Sequence, residues 1–130
     1  MIRTAEAAGF DAVIADNNTA DFYNPKVIRS TMGSIYRVRL ASCKDIREAQ
    51  ELSRQNGVTV YAAHLKGEAL YDEISYSAKA AILIGNESRG LSDEAAQLSD
   101  MLIRIPMKGQ TESLNAATAA AILMYESRPR

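Results

Sequence analysis

The sequence predicts an α/β domain with a mostly parallel sheet flanked by helices. Three observations predict it. Short apolar runs alternate with helical patterns along all 130 residues, the signature of parallel strands joined by helical crossovers. Several of these runs lack strict polar alternation, as expected of strands covered on both faces. No internal repeat, linker or low-complexity stretch interrupts the pattern, so residues 1–130 read as one domain.

Each element has a local reason. Ile2 to Ala8 reads as a helix closed by Gly9. Phe10 to Ala15 is an apolar run, read as a buried strand. Asn24-Pro25 opens a second helix, since asparagine caps and proline fits the first turn. That helix ends near Gly33. Ser34 to Leu40 alternates apolar and polar, which predicts a strand with one wetter face. Lys44 to Gln55 is a third helix with Ile46, Ala49 and Leu52 as its apolar stripe and Gly57 as its stop. Val58 to Ala63 is the next strand. Leu65 to Lys79 is polar and irregular, with a short helix expected at Glu68 to Asp72. Ala80 to Ile84 and Met101 to Ile105 read as strands, with helices at Ser92 to Leu98 and from Ser113 to about Ser127.

Composition bounds the function. The net charge is −1, which argues against a module that grips nucleic acid by charge alone. One cysteine, Cys43, allows no intrachain disulfide and fits a reduced, cytoplasmic setting. With one histidine, His64, a Cys/His zinc site cannot be assembled, and no metal is expected. Both residues read best as structural. The first residues lack the apolar core of a signal peptide, and no apolar run reaches the ~20 residues of a membrane helix.

The chemistry concentrates between Ala80 and Tyr125. A strand runs into the polar loop Gly85-Asn86-Glu87-Ser88-Arg89-Gly90. A second strand runs into Pro106-Met107-Lys108-Gly109, and Ser113-Leu114-Asn115 opens an alanine-rich helix. Open α/β sheets bind ligands at such carboxyl-end loops. The spacing G-x-x-x-x-G is that of a P-loop, but Leu91 and Ser92 follow where lysine and a hydroxyl are needed, and phosphate cradling is not expected. Ser113 is placed to cap the last helix, with Asn115 in its first turn. Arg3, Lys26, Arg29, Arg37 and Arg39 crowd the first 40 residues, either as solvated charges or as phosphate contacts to RNA.

Four stretches together carry a resemblance over essentially the whole chain. They are Arg3-Thr-Ala-Glu-Ala-Ala-Gly9, Asn24-Pro-Lys-Val-Ile-Arg-Ser-Thr-Met-Gly33, Ile84-Gly-Asn-Glu-Ser-Arg-Gly90, and Ile105-Pro-Met-Lys-Gly109 followed by Ser113-Leu-Asn115. In order and spacing the chain resembles the SpoU/TrmH-type ribose methyltransferases of the SPOUT superfamily. The resemblance implies a deep C-terminal trefoil knot, a rarity among folds. It implies S-adenosylmethionine as cofactor, a homodimer with sites completed across the interface, and methyl transfer to a ribose 2′-hydroxyl in rRNA or tRNA. By motif matching, Gly85, Ile105 and Leu114 contact the cofactor through backbone groups, with Ile84, Met107 and Gly109 in the same loops. Arg3 matches the catalytic arginine. Glu87, Ser113 and Asn115 match conserved polar positions, and Arg29 is a candidate RNA contact. Arginine stays protonated in proteins, so holding a phosphate and stabilising negative charge suits Arg3 better than acting as a base.

The family pattern also has a first strand ending in Asn-x-Gly before the arginine helix, whereas Met1 lies two residues before Arg3. That strand, and the N-terminal RNA-recruiting domain of many members, are not in this sequence. A rival reading is therefore a truncated, catalytically weak knotted dimer that binds cofactor or RNA without turnover. A third is an unknotted, doubly wound nucleotide-binding domain.

Overall fold

The computed structural model describes residues 1–128, and their strands form two parallel sheets rather than the single one expected. In the smaller sheet β1 (Ala12–Ala15) pairs with β2 (Arg39–Ser42). The larger has the order β4 (Ala69–Leu70), β6 (Met101–Arg104), β3 (Thr59–Ala63), β5 (Ala80–Leu83), parallel throughout. Among the described residues no ladder joins β1 to β5. Helices bridge them instead. Ala5 and Ala8, from α1 (Ile2–Ala7) and its cap, share a buried cluster with Ala120 and Met124 of α5 (Ala116–Ser127). Val13 of β1 and Ile84 beyond β5 pack on that cluster. Alanine methyls let the two helix backbones approach closely, which larger side chains would prevent.

The helix ends follow local chemistry. Gly9, at φ 83°, closes α1 as expected: Phe10 N–H donates to Ala5 O at 2.9 Å and Gly9 N–H to Glu6 O at 3.1 Å. Asn24 Oδ1 accepts from Lys26 N–H at 2.9 Å and starts α2 (Pro25–Ser30). The strand expected over Ser34 to Leu40 is not there. Met32 (φ 49°) and Gly33 (φ 82°) are both left-handed, and Ser34–Tyr36 is a 3-10 turn. Ser34 and Val38 are buried while Tyr36 between them is 86% exposed, whereas a strand would place all three on one face. β2 begins only at Arg39. In β1, Ile14 is 46% exposed while Ala15 is buried, so this strand is not buried on both faces.

In α3 (Ile46–Gln55), Asp45 caps by accepting from Glu48 N–H at 3.0 Å. The expected stripe is wrong at one place: Leu52 is 54% exposed and Gln50 is buried. Gln50 Nε2 donates to Ala95 O at 2.8 Å and to Ser99 Oγ at 3.0 Å, tying α3 to α4 (Asp93–Gln97). Two directional bonds, rather than an apolar contact, hold this junction. The helix expected at Glu68 to Asp72 is also absent. Ala69–Leu70 adds instead to the edge of β6 as β4, and Tyr71 N–H donates to Arg104 O at 3.1 Å.

The connection from β3 to β5 shapes the larger sheet. It leaves β3, crosses β6, pairs with the far edge of β6 as β4, and returns to β5 on the other side of β3. At the crossing, a Cβ on Gly67 would lie 2.9 Å from the backbone carbon of Ile103 and 3.0 Å from that of Leu102. Only glycine fits. The return leg is held by Tyr76, whose O–H donates to Tyr71 O at 2.8 Å and whose ring lies 4.8 Å from that of Tyr61. Burial pushes the Tyr76 phenol up to about 12, with the Glu126 charge adding to it.

Two outcomes follow. Gly67→Ala should lose about 1–3 kcal/mol of stability in urea unfolding, because the contacted atoms are backbone and cannot move aside. In an alkaline absorbance titration, one of the six tyrosines should ionise near pH 12. A raised folded pKa means the Tyr76 contribution to stability is complete below the ordinary tyrosine value of about 10. It is lost between about 10 and 12 as pH rises.

Candidate active site

Two loops meet at the carboxyl ends of β5 and β6. The first, Gly85 to Gly90, closes on itself. Asn86 and Gly90 exchange backbone bonds of 3.2 and 2.7 Å, and Asn86 Oδ1 accepts from Ser88 N–H at 2.8 Å. A Cβ on Gly85 would stand 2.4 Å from the Gly90 carbon, so the closed shape requires glycine there. Gly90 itself is left-handed at φ 65°. The loop therefore presents Glu87 outward from a backbone that satisfies itself.

The second loop does the opposite. Among the described residues, no hydrogen bond within the chain engages residues 106–114. Backbone donors and acceptors normally find partners, so this stretch of unpaired N–H and C=O groups is open to water or a ligand. Ile105, Met107 and Leu114 are half-buried beside it, while Gly109 is exposed. Ile84 and Ile105 both pack against the cluster of Tyr61, Ile103 and Leu123, which anchors the two loops to one base.

One side-chain contact links the loops. Asn115 Nδ2 donates to Glu87 Oε1 at 2.8 Å. The same Asn115 uses Oδ1 to accept from Ala117 N–H at 2.9 Å and Thr118 N–H at 3.3 Å, capping α5. Asn115, not Ser113, is thus the helix cap. Ser113 lies two residues before the cap, exposed and with no hydrogen bond among the described residues. An asparagine oxygen two residues before the first free amides reaches them; a serine further upstream does not.

The arginines divide into engaged and free. Arg37 is engaged: its Nε lies 3.0 Å from Glu6 Oε1, and that hydrogen bond holds the Glu6 carboxyl below the usual carboxylate range. Arg29 is exposed and bonds only weakly, Nε to Pro25 O at 3.4 Å. Arg3 is exposed on the first turn of α1 and makes no hydrogen bond or ion pair among the described residues. The structure joins Glu87 to Asn115 directly. It brings neither Arg3 nor Arg29 into contact with them.

Cys43 and His64 take structural places. Cys43 Sγ is 3.6 Å from Ala15 O, and burial raises its thiol pKa, with Asp16 and two other carboxylates adding to it. His64 Nδ1 accepts from Lys66 N–H at 3.1 Å in the crossing before β4. Among the described residues, no group of three or more His, Cys, Asp or Glu is gathered to hold a metal, and no helix is long and apolar enough to cross a membrane. Sequence reasoning gave no role to Tyr23 and Tyr36, which are 68% and 86% exposed. Their only signal was an aromatic at each end of a basic stretch.

The two functions of Asn115 can be separated. Asn115→Ala should cost about 1 kcal/mol in thermal or urea unfolding, the worth of a helix cap. Glu87→Ala, which removes only the exposed bond, should change stability by less than about 0.5 kcal/mol. Equal losses would make the loop contact, not the cap, the stabilising element.

Comparison with known proteins shows the family. The SpoU rRNA Methylase family matches residues 1–125. The chain is 41% identical over 128 residues to the 23S rRNA guanosine 2′-O-methyltransferase RlmP of Bacillus subtilis, covering 98% of this chain and 51% of that protein. It is 36% identical to the tRNA (guanosine(18)-2′-O)-methyltransferase of Thermus thermophilus, covering 98% of this chain and 66% of the other. Among solved structures, the SpoU methyltransferase AviRb of Streptomyces viridochromogenes, in complex with AdoMet, superposes with a TM-score of 0.86 at 32% identity, over 97% of this chain and 52% of that one. An AdoMet-bound rRNA methyltransferase of Sinorhizobium meliloti gives 0.86 at 39%, over 97% and 48%. The chain thus spans about half to two-thirds of the length of the relatives it matches. A family match over residues 1–125, together with relatives at these identities, makes the chain a member of the SpoU rRNA methylase family.

Proposed function

We propose that this chain is the catalytic domain of an S-adenosylmethionine-dependent RNA 2′-O-methyltransferase acting on rRNA or tRNA. The carrying observation is the second loop: residues 106–114 leave their backbone groups unpaired beside half-buried Ile105, Met107 and Leu114. An adenosine needs that combination, an apolar bed for its ring and polar groups for its edge. Relatives crystallised with AdoMet support the same cofactor.

The residues fit a simple division of work. The cofactor, when bound, supplies an electrophilic sulfonium methyl. Ile84, Gly85, Ile105, Met107, Gly109 and Leu114 form its bed. The attacking oxygen must lie in line at about 3 Å, and holding it there removes most of the entropic cost. Among the described residues the Arg3 side chain has no partner to leave, so its guanidinium is available to hold an RNA phosphate and to stabilise charge developing on the ribose oxygen. Glu87 and Asn115 fix the two loops to each other, and Ser113 offers a free hydroxyl at their junction. Arg29 provides a further phosphate contact.

Two architectural features belong to the same proposal. The connection 64–79 starts at β3, pairs with the far edge of β6 as β4 and ends at β5, and Gly67 within it passes against the backbone of Leu102 and Ile103. This supports the C-terminal trefoil knot. The helix α5 is apolar on all sides yet leaves Ala117 and Tyr125 exposed. A helix apolar all round is ordinarily buried all round, which supports a homodimer built on this face. A cytoplasmic location follows from an RNA substrate.

Calorimetry should detect binding of S-adenosylmethionine; no heat at millimolar concentration would overturn the cofactor assignment. Arg3→Ala should bind cofactor normally and lose about 100- to 1,000-fold in methyl transfer to RNA. Transfer equal to that of the parent chain would remove Arg3 from catalysis. Cofactor binding with no transfer by the parent would favour the non-turnover reading.

A further inference from the structure

The three most exposed large hydrophobic side chains lie within fourteen residues of one another. Tyr23, Met32 and Tyr36 are 68%, 70% and 86% exposed. Tyr23 and Tyr36 stand over one depression of about 360 Å³, floored by Ile28, Ile35, Val38 and Leu40. The same stretch carries an unusual charge. Between Asp21 and Leu40 there are four basic residues, Lys26, Arg29, Arg37 and Arg39, against the single acid Asp21, in a chain of net charge −1. Asp21 is occupied locally, accepting from Tyr23 N–H at 3.0 Å. Arg37 is shared with Glu6, which leaves three cations without an acidic partner among the described residues.

Exposed aromatic faces beside cations, over an apolar floor, match one ligand chemistry closely. Single-stranded nucleic acid offers flat bases to stack and phosphates to pair, whereas a duplex keeps its bases stacked within itself. A protein partner would use the tyrosines but would have no need of the surplus cations. We propose that the Tyr23–Tyr36 depression holds an unstacked base of the RNA, a nucleotide other than the one methylated, with Lys26 and Arg29 on the adjoining phosphates. This rests on the RNA reading above and adds a recognition subsite to it. It would direct the chain to loops and single-stranded ends.

The test uses the whole chain and a fluorescently labelled oligoadenylate of about ten nucleotides, within the usual footprint of a stacking platform. The double variant Tyr23→Ala/Tyr36→Ala should bind it about 10- to 100-fold more weakly. Its salt dependence should not change, since no phosphate contact is lost. Lys26→Ala/Arg29→Ala should instead lower the slope of log K against log salt by about 0.7 per lost contact. The parent chain contains no tryptophan, so Tyr36→Trp provides a single reporter whose fluorescence should be quenched by the oligonucleotide. Unchanged affinity in the double tyrosine variant, an equal loss for a blunt duplex, or no oligonucleotide binding by the parent would each overturn the proposal. Conversion of a dimer to a monomer in sedimentation, with affinity for the oligonucleotide unchanged, would also overturn it and assign the patch to a second copy. Heat from S-adenosylmethionine, measured on the same samples, keeps the two readings apart: cofactor binding without tyrosine-dependent RNA binding sinks the subsite alone.

Discussion

The fold depends on one backbone crossing. At Gly67 the segment leaving β3 lies against the carbonyl carbons of Leu102 and Ile103, too close for any side chain. That contact determines where the rest can go. It forces β4 to the far side of β6, brackets β6 between β3 and β4, and aims the chain beyond β6 at the loop beyond β5. The loops after β5 and β6 are neighbours because both rest on the base of Tyr61, Ile103 and Leu123. Tyr76 and Tyr61 then hold the returning leg from beneath.

The site divides rigidity and availability between its loops. The first loop spends its backbone bonds on itself and projects one carboxylate. The second leaves its backbone unspent. Asn115 connects them with both ends of one amide: the oxygen holds the helix and the nitrogen holds Glu87. Since an amide oxygen has little capacity beyond the two N–H groups it already serves, Asn115 is better suited to positioning than to contact with a reacting atom. Arg3 and Ser113 have the opposite character, exposed and without partners.

Much of this was legible in the residues, and the failures have physical causes. Apolar runs located β3, β5 and β6, and Gly9 and Asn24 marked helix ends because their conformational roles are local. The 34–40 stretch misled because an alternating pattern is shared by a strand and by a 3-10 turn entered through two left-handed residues. Ser113 misled because serine and asparagine compete for the same cap, and only the backbone path decides between them. Gln50 and Gly67 were illegible in principle: one is buried by partners 45 and 49 residues away, and the other is required by a strand met late in the chain. The combination of motifs at Arg3, Glu87 and Asn115 was readable as a family pattern, yet their spacing in space was not.

The separation of the sheets bears on how the molecule breathes. The β1–β2 pair shares no ladder with the larger sheet, and α1 reaches α5 mainly through Ala5, Ala8, Ala120 and Met124. Methyl-sized contacts bury little area each, so this seam is a place where the described residues can open. A sub-global opening there would release Arg3 and its surroundings as one cooperative unit. The two loops and their base of Tyr61, Ile103 and Leu123 would stay folded. The larger sheet can therefore keep its core while the smaller sheet and α1 move as a unit.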